Sequence, residues 1–301
     1  MNKFYILLSI IYISVPYALA TSVSITIDDF NIRESSMLSA KERNERILKT
    51  LDDYKIKAAL FVVGKYIKEN NEKDLLKQWS DKGHLIGNHT FSHPRYDSHI
   101  SLNKFIEEIL NCEKVLVNYP GFEKIFRFPT LHEGDTPEQR DKLRSWFVKN
   151  NYRNGYVTID TSDWYIDQRL REKLKSNPQF DLKKYRDFYL NHLKKVSKYY
   201  DDLSIKVLGH TVKHTLLIHF NLLNALFLSD ILKMYKDKNW ELIDANKAFS
   251  DPIFKSAPKS IPSGQSLIWA VEKESGKYEE LLRYPAENDE YEKKEMDRLG
   301  L

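Results

Sequence analysis

From residue 22 onward the chain alternates short β-branched runs with amphipathic stretches of helical period, about seven times over. That alternation narrows the architecture more than any other feature, because repeated βα units build a parallel sheet covered by helices. The strand candidates are 23–28, 57–63, 84–87, 124–128, 155–159, 215–219 and 240–243. Between them, Ser39 and Glu42 form a capping box ahead of one helix, and "NEKDLLKQWSDKG" ends in a glycine suited to a helix C′ position. Further helices are expected in "SLNKFIEEILNCEKVLVN", "TPEQRDKLRSWFVKN", "DLKKYRDFYLNHLKKVSKYY" and "NLLNALFLSDILKMYK". The pattern favours an α/β parallel barrel over an open sheet.

In such a barrel, chemistry gathers in the loops after the strand C-terminal ends. Asp28 and Asp29 follow the first strand, His89 and His93 the third, Arg127 to Thr130 the fourth, Asp160 to Trp164 the fifth, and His219 the sixth. Scattered polar residues thus become one rim. Adjacent like charges at the end of a buried strand need water or a cation beside them, and an acidic pair opening a solvated turn is the plainer alternative.

The termini differ from this body. Lys3, the apolar "FYILLSIIYISV" and the small-x-small Ala18-Leu19-Ala20 read as a cleaved signal peptide over residues 1–20, so the protein is expected to be exported, periplasmic or secreted, from a bacterium. The apolar run is short for a bilayer span and contains Pro16, so no stable membrane span is expected after cleavage. The net charge of +4 at pH 7 includes Lys3 and is too small to suggest nucleic acid as a partner. The single cysteine, Cys112, lies in an amphipathic stretch and is expected in the core. Residues 21–250 form the expected barrel, with a helical insertion at about 165–214. Residues 251–301, reached through the Pro/Ser-rich "DPIFKSAPKSIPSGQSL", are expected to pack on the barrel or fray.

In "GHLIGNHTFSHPRYD" His89 and His93 stand four apart, a spacing that on a helical turn aims both imidazoles the same way. Two histidines and a carboxylate suffice for a catalytic zinc with a position left for water. Spacing alone does not decide it, since His210 and His214 share the spacing without an acidic or strand-end companion and are assigned to structure. A cation would let both aspartates stay ionised, one as ligand and the other free to take a proton from water.

Taken in order, "TIDDF", "NHTFSH", "RFPT", "DTSDW" and "LLIH" resemble the motifs of the polysaccharide deacetylases with a NodB-like domain, carbohydrate esterase family 4, over roughly residues 22–250. The resemblance implies a distorted (β/α)7 TIM-like barrel with zinc, or another divalent metal such as cobalt, on Asp29, His89 and His93. It further implies Asp28 as catalytic base, His219 as general acid, Arg127 and Asp163 as the partners tuning them, Trp164 as a wall of the substrate groove, and the Thr130 N–H as an oxyanion donor. The implied partner is an acetylated polysaccharide or oligosaccharide, peptidoglycan, chitin-like or exopolysaccharide, losing acetate from N-acetylglucosamine. An O-acetyl esterase acting on substrates such as acetylxylan, a non-catalytic glycan-binding relative, and a metal-free relative acting on cyclic amides are the alternatives.

Two departures from the family pattern bear on specificity. The family has glycine after the aspartate pair and this chain has Phe30, implying an altered backbone or a ring set toward the groove. The third motif continues as Thr130-Leu131 and reaches glycine only at Gly134, so Phe30 and Leu131 are expected to shape the substrate site.

Overall fold

The first strand, β1 (Ser22–Phe30), is buried along nearly its whole length, as a central parallel strand must be. Its polar positions are reconciled with that burial by hydrogen bonds across the sheet: Ser24 Oγ donates to His214 O (3.4 Å) and Thr26 Oγ1 to Leu216 O (2.9 Å). The structure is a computed structural model, and it describes residues 20–31, 33, 35–261, 263–283 and 288–301. The signal segment read from the sequence therefore lies outside the described residues except for Ala20.

The chain continues through α1 (Ala40–Asp53), β2 (Ala59–Val62), α2 (Asn70–Asp81), β3 (Leu85–Asn88), α3 (Leu102–Leu116), β4 (Phe122–Phe126), α4 (Pro137–Lys149) and β5 (Arg153–Asn154). Next come α5 (Asp163–Ser176), α6 (Leu182–Leu208), β6 (Lys213–His219), α7 (Leu222–Asp237), β7 (Glu241–Leu242), α8 (Ala245–Phe249), α9 (Leu267–Ser275) and α10 (Asp289–Leu299). The Ser39/Glu42 capping box opens α1. The strands form one seven-stranded sheet in the order β5-β4-β3-β2-β1-β6, with β7 pairing the start of β1, and every pairing is parallel.

The sheet curls into a distorted (β/α)7 barrel. The strand expected over 155–159 is corrected here: ladder pairing occurs only at Arg153–Asn154, against β4, and the chain then crosses to β6 through an isolated Ile159–Leu216 bridge. One segment thus touches the sheet at both ends and draws its two edges together. The fourth strand likewise runs 122–126, because Phe128 already starts a turn at Pro129–Leu131.

The excursion after the fifth strand is two helices, α5 and α6, that pack on α7 and on each other. The segment beyond residue 250 lays α9 across α6, with Leu267, Ile268, Trp269 and Met296 buried in the main hydrophobic core. Cys112 is buried in the same core. Among the described residues no helix is long and apolar enough to cross a membrane.

Candidate functional site

The β1 register explains how two neighbouring aspartates reach one cleft. Against β2, Ile27 pairs with Leu60 but Phe30 with Val62, so β1 carries one extra residue there, a bulge at the aspartate pair. Without it, the two-residue alternation of a strand would send Asp28 and Asp29 to opposite faces. Asp29 takes up the irregularity with φ of 62°, in the left-handed region, and both carboxylates line the cleft. Against β6 the register stays regular and sets Asp28 beside His219.

Asp29 meets the two histidines of the third strand's loop. Its Oδ1 lies 3.6 Å from His89 Nε2 and 3.4 Å from His93 Nε2, and the three ligand atoms fall within 4.8 Å of one another. The expectation of a helical turn at 89–93 is corrected: this stretch is a loop with left-handed Thr90 (φ 64°) and His93 (φ 67°), which brings the two rings edge to face at 4.8 Å between centroids. His89 Nδ1 meets the Arg127 carbonyl at 2.7 Å, and as only an N–H can bond there, Nε2 keeps its lone pair toward the cleft. Burial pushes both histidines down to about 4; for Asp29 burial is the largest single influence and raises the carboxyl, but positive charge on His89, His93, His219 and Arg33 together outweighs it and holds the carboxyl below its usual range. Neutral imidazoles and an ionised carboxylate are the donor set a divalent cation such as zinc takes.

Two further pairs stand beside this cluster. Arg127 Nη1 donates to both oxygens of Asp28 (3.0 and 3.1 Å), its Nε to Gly155 O (2.5 Å) and its Nη2 to Thr26 Oγ1 (3.2 Å), with the guanidinium over the Phe61 ring at 4.3 Å. For Asp28, burial outweighs Arg127 and lifts the carboxyl to about 6. Asp163, in the first turn of α5, accepts from His219 Nδ1 (2.7 Å), the His219 N–H (2.9 Å), Asn221 Nδ2 (2.9 Å) and Asn224 Nδ2 (2.7 Å). Burial opposes a charged His219, but the Asp163 carboxylate outweighs it and holds the ring up at about 10. With Nδ1 so engaged, Nε2 is the nitrogen His219 offers the cleft.

Asp28, Asp29, His89, His93 and His219 line one cavity of about 600 Å³, within the range of small-ligand sites. Residues 18–143 match the family model for polysaccharide deacetylase. The matched segment holds β1 to β4 and carries Asp28, Asp29, His89, His93 and Arg127. The chain is 30% identical over 125 residues to a peptidoglycan-N-acetylglucosamine deacetylase of Bacillus cereus, covering 41% of this chain and 42% of that one. It is 39% identical over 128 residues to a peptidoglycan-N-acetylmuramic acid deacetylase of Bacillus subtilis, covering 42% and 44%. The chain therefore spans less than half the length of these curated relatives. Among solved structures, a mutant of a Bacillus anthracis carbohydrate esterase family 4 pseudoenzyme with restored enzymatic activity superposes with a TM-score of 0.54 at 18% identity, covering 78% of this chain and 69% of that one. At that identity the likeness is one of fold.

Within the cleft the structure brings together Asp28, Asp29, His89, His93, Thr130, Leu131, Trp164 and His219, with Arg127 and Asp163 directly behind them. Phe30 is the exception and corrects the expectation of a groove-facing ring: it is fully buried against Phe220, 4.9 Å between centroids. The bulge turns it inward, and because Asp29 carries the left-handed conformation, position 30 needs no glycine. Thr130 (φ 54°) and Leu131 (φ 53°) share that backbone region, and Thr130 Oγ1 accepts from Arg95 Nη1 at 3.2 Å.

Sequence reasoning gave no role to Asp160, Arg95, Phe128, Leu217 or Gln265, all of which line the cleft. Asp160, Phe128 and Leu217 stood inside quoted motifs without an individual role; Gln265 lies over 100 residues from any other lining residue except Leu217 and His219, and no local pattern marks it. His214, with the second His-x3-His spacing, is buried between Thr158 Oγ1 (3.1 Å) and Asp201 Oδ1 (3.3 Å) and stacks on Trp240.

Proposed function

We propose that this protein is an exported deacetylase that hydrolyses N-acetyl groups on N-acetylglucosamine units of a polysaccharide, releasing acetate and a free amine. The observation that carries the reading is the convergence, in one cleft, of a two-histidine-one-aspartate cluster with an arginine-held carboxylate and an aspartate-held histidine. The relatives named for peptidoglycan deacetylation support the substrate class.

Asp29, His89 and His93 would hold the divalent cation, zinc or cobalt, whose charge polarises the acetyl carbonyl and acidifies water. Asp28 accepts the proton of the water whose oxygen bonds to the carbonyl carbon, and Arg127 fixes the direction of that carboxylate. The Thr130 N–H, on the left-handed turn at the cleft wall, donates to the oxygen on which negative charge develops. As the C–N bond breaks, His219 delivers its proton from Nε2 to the departing amine, with Asp163 stabilising the charged ring beforehand. Trp164, 42% exposed, offers its apolar face to a sugar ring.

The test is acetate release from chitin oligomers, peptidoglycan and acetylxylan, with and without chelator. The wild type should release acetate from an N-acetylated glycan and lose that activity to chelator. Asp28→Asn should cost about 10²–10⁴ in kcat, the usual contribution of a positioned base. Release from acetylxylan alone would turn the reading to an ester substrate, and a metal-loaded protein that deacetylates nothing would overturn it.

A further inference from the structure

One wall of the cleft comes from outside the barrel. After α8 the chain returns along α4, where Arg144 Nη1 donates to Pro258 O (2.8 Å) and Arg140 Nη1 to Lys259 O (2.6 Å). Ser263 Oγ then donates to Gly134 O (2.9 Å), Ser266 Oγ to Thr158 O (2.9 Å), and the Leu267 N–H to Val157 O (2.7 Å). The strap is thereby fastened both to the loop after β4 and to the segment that closes the barrel. At Gly264 (φ 89°) a Cβ would fall 1.5 Å from the Leu131 carbonyl oxygen, so strap and cleft loop touch backbone to backbone. Gln265 is the next residue, half-buried and part of the cleft lining together with Leu131, Trp164 and Asp160.

We propose that the strap Ser263–Leu267 is a working part of the substrate cleft, with Gln265 a specificity-determining residue whose side-chain amide binds a hydroxyl or acetamido group of the glycan next to the reacting unit; this rests on the deacetylase reading above. A primary amide both donates and accepts and carries no charge at any working pH, which suits neutral sugar groups that do the same. Trp164 and Leu131 offer aromatic and aliphatic faces to a ring there, and the Gln265 amide stands with Asp160 and Thr161 among the polar groups of the same lining. Gly264 holds the amide in place because no larger residue allows the approach.

The experiment compares wild type and Gln265→Ala on N-acetylglucosamine tetramer and on peptidoglycan fragments. Acetate release is followed with zinc-loaded protein, and glycan binding by calorimetry in an Asp28→Asn background. Losing one neutral hydrogen bond should raise KM and Kd about three- to tenfold on at least one glycan, with kcat and Tm essentially unchanged. A purely structural role would move Tm instead. Gly264→Ala should lower kcat, because it displaces the Leu131 carbonyl, while zinc content is retained. Wild type that releases no acetate tells against the deacetylase reading, and calorimetry then still decides this proposal. KM and Kd within about twofold of the parent on every glycan tested, or no glycan binding by either protein, overturns it.

Discussion

Of the non-glycine residues with left-handed backbone among those described, Asp29, Thr90, His93, Thr130 and Leu131 all belong to the cleft or its supporting loop. Each such residue costs on the order of 1–2 kcal/mol, which only surrounding packing can sustain. The concentration of that strain at the site is why its motifs could be recognised while its shape could not: residue types are written in the chain, but the twist at Asp29 is imposed by the β2 and β6 neighbours. Phe30 shows the difference. Its place after the aspartate pair implied an altered backbone or a groove-facing ring; the backbone is altered, by the bulge, and the ring lies in the core. Phe30→Ala should therefore act as a core truncation, costing about 3–5 kcal/mol in urea unfolding, with KM of the surviving folded protein little changed. A KM rise with unchanged stability would return Phe30 to the groove.

Among the elements, strand identity was legible wherever apolar runs had pairing partners along their whole length, as β1 and β6 do. It failed for 155–159 because the segment's hydrogen bonds go to scattered partners, Phe126, Thr215, Ser266 and Leu267, and not along one neighbouring strand, a tertiary arrangement with no local period. Gly155 illustrates the point: its N–H donates to Phe126 O (2.7 Å), its carbonyl receives Arg127 Nε, and a Cβ would lie 2.6 Å from the Phe61 ring that underlies the same guanidinium. The tail was equally illegible, since a Pro/Ser-rich connector says nothing about where it docks. Trp269 tests how firmly it is docked. The indole is 1% exposed and donates to Arg283 O at 2.7 Å, so Trp269→Ala should cost about 3–5 kcal/mol. Denaturant unfolding should show one transition at a lower midpoint, and an unaltered midpoint would mean that the tail frays from the barrel.

For the molecule as a whole, folding and the site are linked through protons and metal. His84 accepts the Ala58 N–H on Nδ1 (3.0 Å), and burial, aided by Lys57, pushes the ring down to about 4. Its neutral form is therefore favoured in the folded state. The stability it contributes is present above its ordinary value of 6.5 and is lost as pH falls from there toward 4. That loss amounts to at most about 3 kcal/mol. His84→Asn keeps an acceptor without a titrating nitrogen, so its Tm should fall less than that of wild type across this window, checked by thermal melts between pH 7 and 4. A bound cation should act in the opposite sense. A cation at one hundred times its Kd should stabilise the fold by about 2.7 kcal/mol. Chelator should then lower the Tm of wild type but leave that of His93→Ala unmoved.

The strap also sets an order of events during folding. Residues 263–267 pin a loop about 130 residues earlier in the chain, so contacts of very long sequence separation must close before the cleft wall exists. The β1–β6 ladder already requires some 190 residues between partners, and the strap adds a still later step. A chain ending near residue 250 would hold the strands and the Asp29, His89 and His93 side chains yet lack one wall of the cleft, which makes that wall a late feature of folding.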